Sequence, residues 1–413
     1  MIARMTVENF KALRHVEVEL APFTVLVGPN DSGKSSFLEA LYALAQSAHA
    51  PLADCFWSPW QERELVYQHG DTPVRFTARL LRPPSEHQPS RESAIDYDLA
   101  LQFRHGHSCS VVEERVRHPN GEGTWLTTDL KGQSSTQAYV YNADSAGAGL
   151  VQNPRGEAIR TVASLLHLPA LARWDIEELA TPSRLPPERR YPIDPSGYGL
   201  STCIAEMKLD RGGRFAALLK EFHARFPAFK DIEVKRANVR SVERTSKFEK
   251  ITGGHGEGYT LFLVRKDDVE VPAALASGGT LVTLAFLTLT HLREPRKLLL
   301  VEEPENGLHP ARLQEVVALL RETVQSQADC QVVLTTHSPL LLDYAAPEEV
   351  RVFLRQDDGD VSVYSVADVP DIHERLKYLM LGELVYNEGE RELVEEIQRH
   401  AHPHSGGRAD GPR

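Results

Sequence analysis

The chain has 413 residues, 41% hydrophobic and 25% charged, a balance that excludes disordered and fibrous classes and leaves room for two lobes. Its formal net charge of −12 excludes a surface that is basic throughout. No apolar run approaches the ~20 residues of a membrane span, and the first ten residues carry no secretory apolar core; with four scattered cysteines and no C-x-x-C pair, neither disulfides nor a zinc site is expected, and a cytoplasmic location is.

The first elements in chain order are the most informative. The apolar run Val25-Leu26-Val27 reads as a buried strand, and residues 36–44 place apolar side chains at helical spacing. Between them lies Gly28-Pro29-Asn30-Asp31-Ser32-Gly33-Lys34-Ser35, the pattern G-x-x-x-x-G-K-S. Strand, glycine loop and helix N-terminus together form a phosphate cradle, with backbone N–H groups and the helix dipole directed at the anion. Gly28, Asn30, Asp31, Ser32, Gly33 and Ser36 are candidate nucleotide contacts. Lys34 is expected on the β- and γ-phosphates, and the Ser35 hydroxyl on Mg²⁺. The expected ligands are therefore ATP and Mg²⁺.

Residues 51–275 read differently. Short alternating runs such as Val74 to Leu80 suggest antiparallel strands, broken by polar loops such as residues 84–90. Residues 181–197 hold five prolines and read as a long connection, and residues 214–229 as a helix. Charge is uneven here: residues 181–250 carry 15 Lys and Arg against 9 Asp and Glu. Lys235, Arg236, Arg240, Arg244 and Lys247 form a basic run that could track a phosphate backbone. Glu233, Glu243 and Glu249 interleave with it, as on a solvated face. Phe56, Trp57 and Trp60 could meet a partner but more often belong to a core. No heptad pattern points to a long coiled coil.

From residue 276 the α/β pattern returns. Ala276-Ser277-Gly278-Gly279-Thr280 precedes an apolar helix at 281–289, an anion site in principle and also a common turn. Leu298-Leu299-Leu300-Val301 and Gln331-Val332-Val333-Leu334 read as buried strands around a helix at 311–327, a parallel α/β unit. The first strand ends in Glu302-Glu303, which supplies the second carboxylate that a P-loop ATPase needs. Adjacent residues leaving a strand point to different sides, so one acid can reach the metal while the other faces the attacking water. Residues 351–366 read as a hairpin turning at Asp358-Gly359; the acids Asp357, Asp358 and Asp360 are those of a turn rather than of a nuclease centre. The tail from 401 on, with His402 and His404 close to His400, reads as disordered rather than metal-binding.

The order P-loop, Ser-Gly-Gly-Thr, Glu302-Glu303-Pro304-Glu305-Asn306-Gly307-Leu308-His309-Pro310, then Thr335-Thr336-His337-Ser338-Pro339 resembles an ABC-type, SMC-related ATPase head. Within that class it is most similar to the RecF-like and OLD-like AAA family ATPases. Val7 to Leu13 also resembles their first strand and turn. The resemblance implies an α/β P-loop NTPase of ABC-ATPase type with a large mixed α+β insertion lobe. On this reading residues 1–50 and 270–366 form the head, 51–269 the insertion, 367–400 a C-terminal helical segment and 401–413 a disordered tail. It implies head-to-tail dimers with ATP between them, the P-loop of one copy facing Ser277, Gly278 and Gly279 of the other. It places Glu302 at the metal, Glu303 as general base, Asn306 to Leu308 at the dimer interface, and His337 at the γ-phosphate. Two departures stand out: Glu302 replaces the usual Asp, and Ala-Ser-Gly-Gly-Thr replaces Leu-Ser-Gly-Gly-Gln. The metal-contacting Gln of the middle lobe has no clear counterpart; Gln137 and Gln152 are candidates. About 75 residues follow His337, so a head lacking the TOPRIM nuclease domain usual in OLD proteins is expected.

Two functions follow. One is an ATPase acting on DNA in repair or genome maintenance, suggested by the basic run. The other is an ATP-sensing partner of a separate effector, a nuclease or toxin of phage defence, suggested by the acidic balance and the expected absence of a nuclease domain. A transporter subunit fits poorly, because the insertion is about twice as long as such subunits carry and no membrane segment is expected.

Overall fold

The fold is built on a parallel sheet whose strands are buried on both faces, which is why they read as unbroken apolar runs. The computed structural model describes residues 1–50, 52, 55–56, 62–82, 94–104, 107–117, 125–126, 161–184, 193–210, 212–245, 248–327 and 329–401. The loop at 84–90, Trp57, Trp60, Gln137, Gln152, Lys247, His402 and His404 lie outside these residues, as do the side chains of Arg240 and Arg244.

In chain order, β1 (Ile2–Phe10) and β2 (Leu13–Glu19) form a hairpin, and β3 (Phe23–Val27) leads into α1 (Lys34–Gln46). Strands β4 (Val74–Leu81), β5 (Ala94–Arg104), β6 (His107–Arg117) and β7 (Trp125–Leu126) extend the hairpin into an antiparallel sheet of order β2-β1-β4-β5-β6-β7. Then come β8 (Pro169–Ala172), α2 (Ile176–Ala180), α3 (Leu200–Leu209) and α4 (Arg214–Arg225). The long hairpin β9 (Phe229–Thr245) and β10 (Phe248–Arg265) pairs with β11 (Glu270–Pro272) in a separate three-stranded sheet. The remaining elements are α5 (Gly278–Thr290), β12 (Leu298–Glu302), α6 (Pro310–Ser326), β13 (Gln331–Thr335), α7 (Pro339–Leu342), β14 (Val350–Arg355), β15 (Val361–Ser365), α8 (Ile372–Arg375), α9 (Leu381–Glu388) and α10 (Glu390–Ala401).

The central sheet has the order β15-β14-β3-β13-β12-β8, parallel except for the edge strand β15. Its side chains divide between two cores by alternation. Leu26, Leu298, Leu300, Val333 and Phe353 pack with α1 and the antiparallel sheet. Val25, Val27, Leu299, Val301, Val332 and Leu334 pack with α5 and α6. A buried glutamine joins the layers: the Gln331 amide accepts from Ile2 N at 3.1 Å and donates to Ile2 O at 2.8 Å.

The segment at 51–269 contributes to all three sheets. β4 to β7 enlarge the first sheet, β9 and β10 build the third, and β8 joins the central sheet beside β12. β8 is only four residues long and begins at a proline, too short to show periodicity in sequence. Phe56 packs on Phe10 and Phe103, with ring centroids 6.3 and 5.1 Å apart. The described residues of the basic run, 235, 236, 240 and 244, lie on β9; Lys235 pairs with Glu270, and Arg236 lies 3.9 Å from Glu257.

Just before β8, burial, aided by the positive N-terminal amine and Lys297, pushes the His167 imidazole down to about 4. A base with a lowered folded pKa is neutral in the fold, whereas the unfolded chain takes up the proton first. Stability should therefore fall as pH drops from about 6.5 to about 4. Urea midpoints at pH 7, 5 and 4 check this, and His167→Gln should flatten part of the decline.

Candidate active site

The loop after β3 turns where ordinary side chains do not fit. Gly28 has φ 139°, and a Cβ there would strike the Phe353 carbonyl oxygen of β14. Gly33 has φ 95°, and its Cβ would lie 2.7 Å from Leu13 Cδ2. Asp31 is also left-handed, at φ 62°, a conformation that Asp tolerates better than most residues. Arg355 fixes the loop from outside, donating to Asp31 O at 2.9 and 2.6 Å and to Gly359 O at 2.8 Å. The loop ends at Gly33, which caps α1 without a side-chain acceptor, so the first N–H groups of the helix are available to an anion.

Lys34 is 5% exposed. Its ammonium folds back on the loop, donating to Gly28 O and Pro29 O at 2.8 Å each and to Ser32 Oγ at 3.3 Å. These acceptors are neutral. Burial lowers its pKa, while Glu303, Glu390, Glu302 and Asp31 act in the opposite direction. A phosphate oxygen would replace neutral acceptors with a charged one.

A cavity of about 460 Å³ opens here. Asn30, Asp31, Ser32, Gly33, Lys34, Ser35 and Ser36 line it from the loop, Glu303 and His337 from β12 and β13, and Ala12 and Arg355 complete it. The sheet thus brings Glu303 and His337 to the P-loop across about 270 and 300 residues of sequence.

Glu303 itself is strained, a non-glycine residue at φ 44°, a conformation that costs about 1–3 kcal/mol. Its N–H is held by Thr335 O at 3.1 Å and Thr335 Oγ1 at 3.2 Å. Its carboxylate accepts from Asn306 Nδ2 at 2.8 Å and lies 3.4 Å from His337 Nε2. Glu305 orders the opposite strand end: one oxygen accepts from Thr336 Oγ1 at 2.8 Å and from His337 N at 2.7 Å.

Glu302 points elsewhere. It does not line the cavity but pairs with Arg173, the residue following β8. Gly28 likewise lies behind the lining. Ser277, Gly278 and Gly279 form a separate surface. The Ser277 hydroxyl caps α5 by accepting from Thr280 N at 3.2 Å. Gly278 and Gly307, the latter at φ 73°, both abut the Ile176 side chain, so the two candidate interface loops share one contact. The acids of the β14–β15 turn have structural partners: Asp358 accepts from Asp360 N at 3.0 Å, and Asp360 from Arg14 Nη1 at 3.0 Å.

The residues fit the expected ligands. The loop has the open N–H groups and buried ammonium that a triphosphate needs, and the Ser35 hydroxyl on the cavity is a hard oxygen donor suited to Mg²⁺, while the Glu302 carboxylate, of the same donor type, is held by Arg173. Sequence reasoning missed Arg173, Glu305 and Arg355. Glu305 lies inside the Glu302–Pro310 run and was in plain view. Arg173 and Arg355 reach the site only through strand order.

A family profile of AAA-domain proteins matches residues 23–343, described as "AAA domain, putative AbiEii toxin, Type IV TA system". The chain belongs to this AAA family. Its AAA domain is built on the α/β fold described above, with the P-loop at the carboxyl edge of a mainly parallel sheet. The OLD nuclease of Thermus scotoductus (strain ATCC 700910 / SA-01) is 20% identical over 379 residues, covering 89% of this chain and 65% of that protein's length. Among solved structures, an SMC head bound to the C-terminal winged-helix domain of ScpA is 16% identical, with a TM-score of 0.49 over 91% of this chain and 99% of that one. The SMC head domain of Thermotoga maritima is 11% identical, with a TM-score of 0.41 over 88% and 98%. Among the described residues, no helix is long and apolar enough to cross a membrane.

Glu305→Ala should free the Thr336 hydroxyl and the His337 N–H at once. Loss of two hydrogen bonds to a charged acceptor should lower stability by about 1–3 kcal/mol, read as a shift in the urea midpoint. ATP turnover should fall more than ATP affinity, since the cradle itself is untouched.

Proposed function

We propose that this AAA ATPase hydrolyses ATP with Mg²⁺ and that two copies close head to tail around the nucleotide. The observation that carries this reading is the placement of Glu303 and His337 on the same cavity as Lys34 and Ser35. Lys34 would hold the β- and γ-phosphates, and Ser35 and Glu302 the metal. When bound, Mg²⁺ neutralises charge on the phosphates. Glu303 takes a proton from the attacking water, and the nearby His337 meets the γ-phosphate. Asn306 holds Glu303 in place, so the base is already oriented before substrate arrives. Ser277, Gly278 and Gly279, remote from this cavity within one chain, would complete the site of a second copy. Turnover by the isolated chain should accordingly be slow until it dimerises.

For the process served, the relative named as a nuclease supports work on nucleic acid, in DNA repair or genome maintenance. The second reading, an ATP sensor for a separate effector in defence, is favoured by a specific observation: Lys235 and Arg236 of the basic run already have the acids Glu270 and Glu257 nearby. Both readings place the protein in the cytoplasm.

Purified wild-type protein, Lys34→Ala and Glu303→Gln should separate these roles. Lys34→Ala should weaken ATP binding about 10–100-fold, the scale of a charge-assisted hydrogen bond. Glu303→Gln should bind ATP normally, lose about 10²–10⁴-fold in turnover and accumulate as an ATP-dependent dimer on size-exclusion chromatography. Normal turnover in Glu303→Gln would end its assignment as the base. Double-stranded DNA at low salt should raise wild-type turnover on the first reading; turnover indifferent to DNA supports the second.

A further inference from the structure

Arg173 stands at the C-terminal end of β8. In the parallel register Ala172 faces Val301, so the next residue on each strand, Arg173 and Glu302, leave the sheet side by side. The Arg173 Nε pairs with the Glu302 carboxylate, and its Nη1 lies 2.6 Å from Glu39 Oε1 on α1. Glu39 in turn pairs with Lys11 in the β1–β2 turn. The result is a chain of alternating charges, Lys11–Glu39–Arg173–Glu302, whose side chains are 13–24% exposed. Each comes from a different element.

The backbone around Arg173 is firmly held. Its N–H donates to Pro195 O at 2.9 Å, and the Trp174 ring packs at a tilt against Phe286 of α5 with centroids 4.5 Å apart. The guanidinium is less well satisfied: Nε and Nη2 are both buried without a hydrogen-bond acceptor among the described residues, Nε meeting Glu302 as an ion pair alone. A cation held on a partly buried acid, with two nitrogens making no hydrogen bond, is suited to being displaced.

We propose that Arg173 is a positioning residue that serves as the counter-ion of Glu302 when no nucleotide is bound, and keeps divalent cations off that acid until a nucleotide brings one in. The inference rests on the assignment of Glu302 to the metal. Remove the guanidinium, and Glu39 still has Lys11 while Glu302 loses its ion pair and keeps only the longer-range field of Lys34 in a partly desolvated place. A lone carboxylate there attracts a divalent cation without help from phosphate. With Arg173 present, the cation must displace an existing ion pair, and a metal arriving with a triphosphate does so with extra oxygen ligands and with phosphate charge to receive the freed guanidinium.

The test is a titration of the full-length, nucleotide-free protein with Mn²⁺, following free Mn²⁺ by electron paramagnetic resonance. Arg173→Gln should bind Mn²⁺ at least about tenfold more tightly than wild type, the scale of a neighbouring charge's effect on a carboxylate. Adding Glu302→Gln to it should return the affinity to the wild-type level. Equal affinity in wild type and a folded Arg173→Gln overturns the proposal. Arg173→Lys keeps the charge and should stay within about threefold of wild type; a tenfold gain there overturns it even if the glutamine variant does not fold. Fluorescent ATP binding to wild type is measured alongside. Its absence would sink the ATPase assignment, whereas normal ATP binding with unchanged Mn²⁺ affinity would sink only the role of Arg173.

Discussion

Five parallel strands end on the same edge of the central sheet, and the chemistry of the molecule depends on that fact. β8, β12, β13, β3 and β14 deliver Arg173, Glu302 and Glu303, Thr335 to His337, the P-loop and Arg355 to one line. Parallel strands cannot be joined by tight turns, so each connection must cross back over the sheet. The crossovers cover both faces of the sheet and leave its carboxyl edge free to hold polar groups, as open α/β sheets do generally. A one-strand change in order would separate Glu303 from Lys34 or Arg173 from Glu302.

The edge is also a balance of charge. Acids at 302, 303 and 305 meet cations at 34, 173 and 355, yet the pairings differ in kind. Glu302 is matched to a guanidinium, Glu305 to a hydroxyl and a backbone N–H, and Lys34 to neutral oxygens. Lys34 is therefore the buried charge with most to gain from a ligand. Bonds to charged groups are stronger than neutral ones, and the loop that folds around the ammonium keeps it dehydrated until they form.

The residues that line the cavity were legible in the sequence where they are written in contiguous motifs. Gly28 to Ser35 sits between a strand and a helix, Glu302-Glu303 follows an apolar run, and His337 follows another, so each local pattern agrees with the fold. The cavity then joins Lys34, Glu303 and His337. Other features were not legible, for physical reasons. β8 is short and hidden among polar connections, and what makes it a strand is the hydrogen-bonded edge of β12, not its own propensity. Arg173 acquires its meaning only from register with Val301. The two candidates for a middle-lobe Gln, Gln137 and Gln152, lie outside the described residues, while the end of the strand beside β12 carries an arginine. Glu302, placed at the Mg²⁺ shell by the resemblance, pairs with Arg173 across two neighbouring strand ends, a contact its motif does not reveal.

Glu303 has φ 44°, in the region where a glycine would rest without penalty. The fold holds it there with two bonds from its N–H to Thr335 and a further one from Asn306 to its carboxylate. Backbone ease and side-chain chemistry therefore make opposite demands at this position: a residue without a Cβ would relax the backbone and bring no carboxylate to the cavity. The fold keeps a carboxylate here in a conformation that selection for a more robust fold alone would remove, so optimisation for heat resistance would replace this acid before its neighbours.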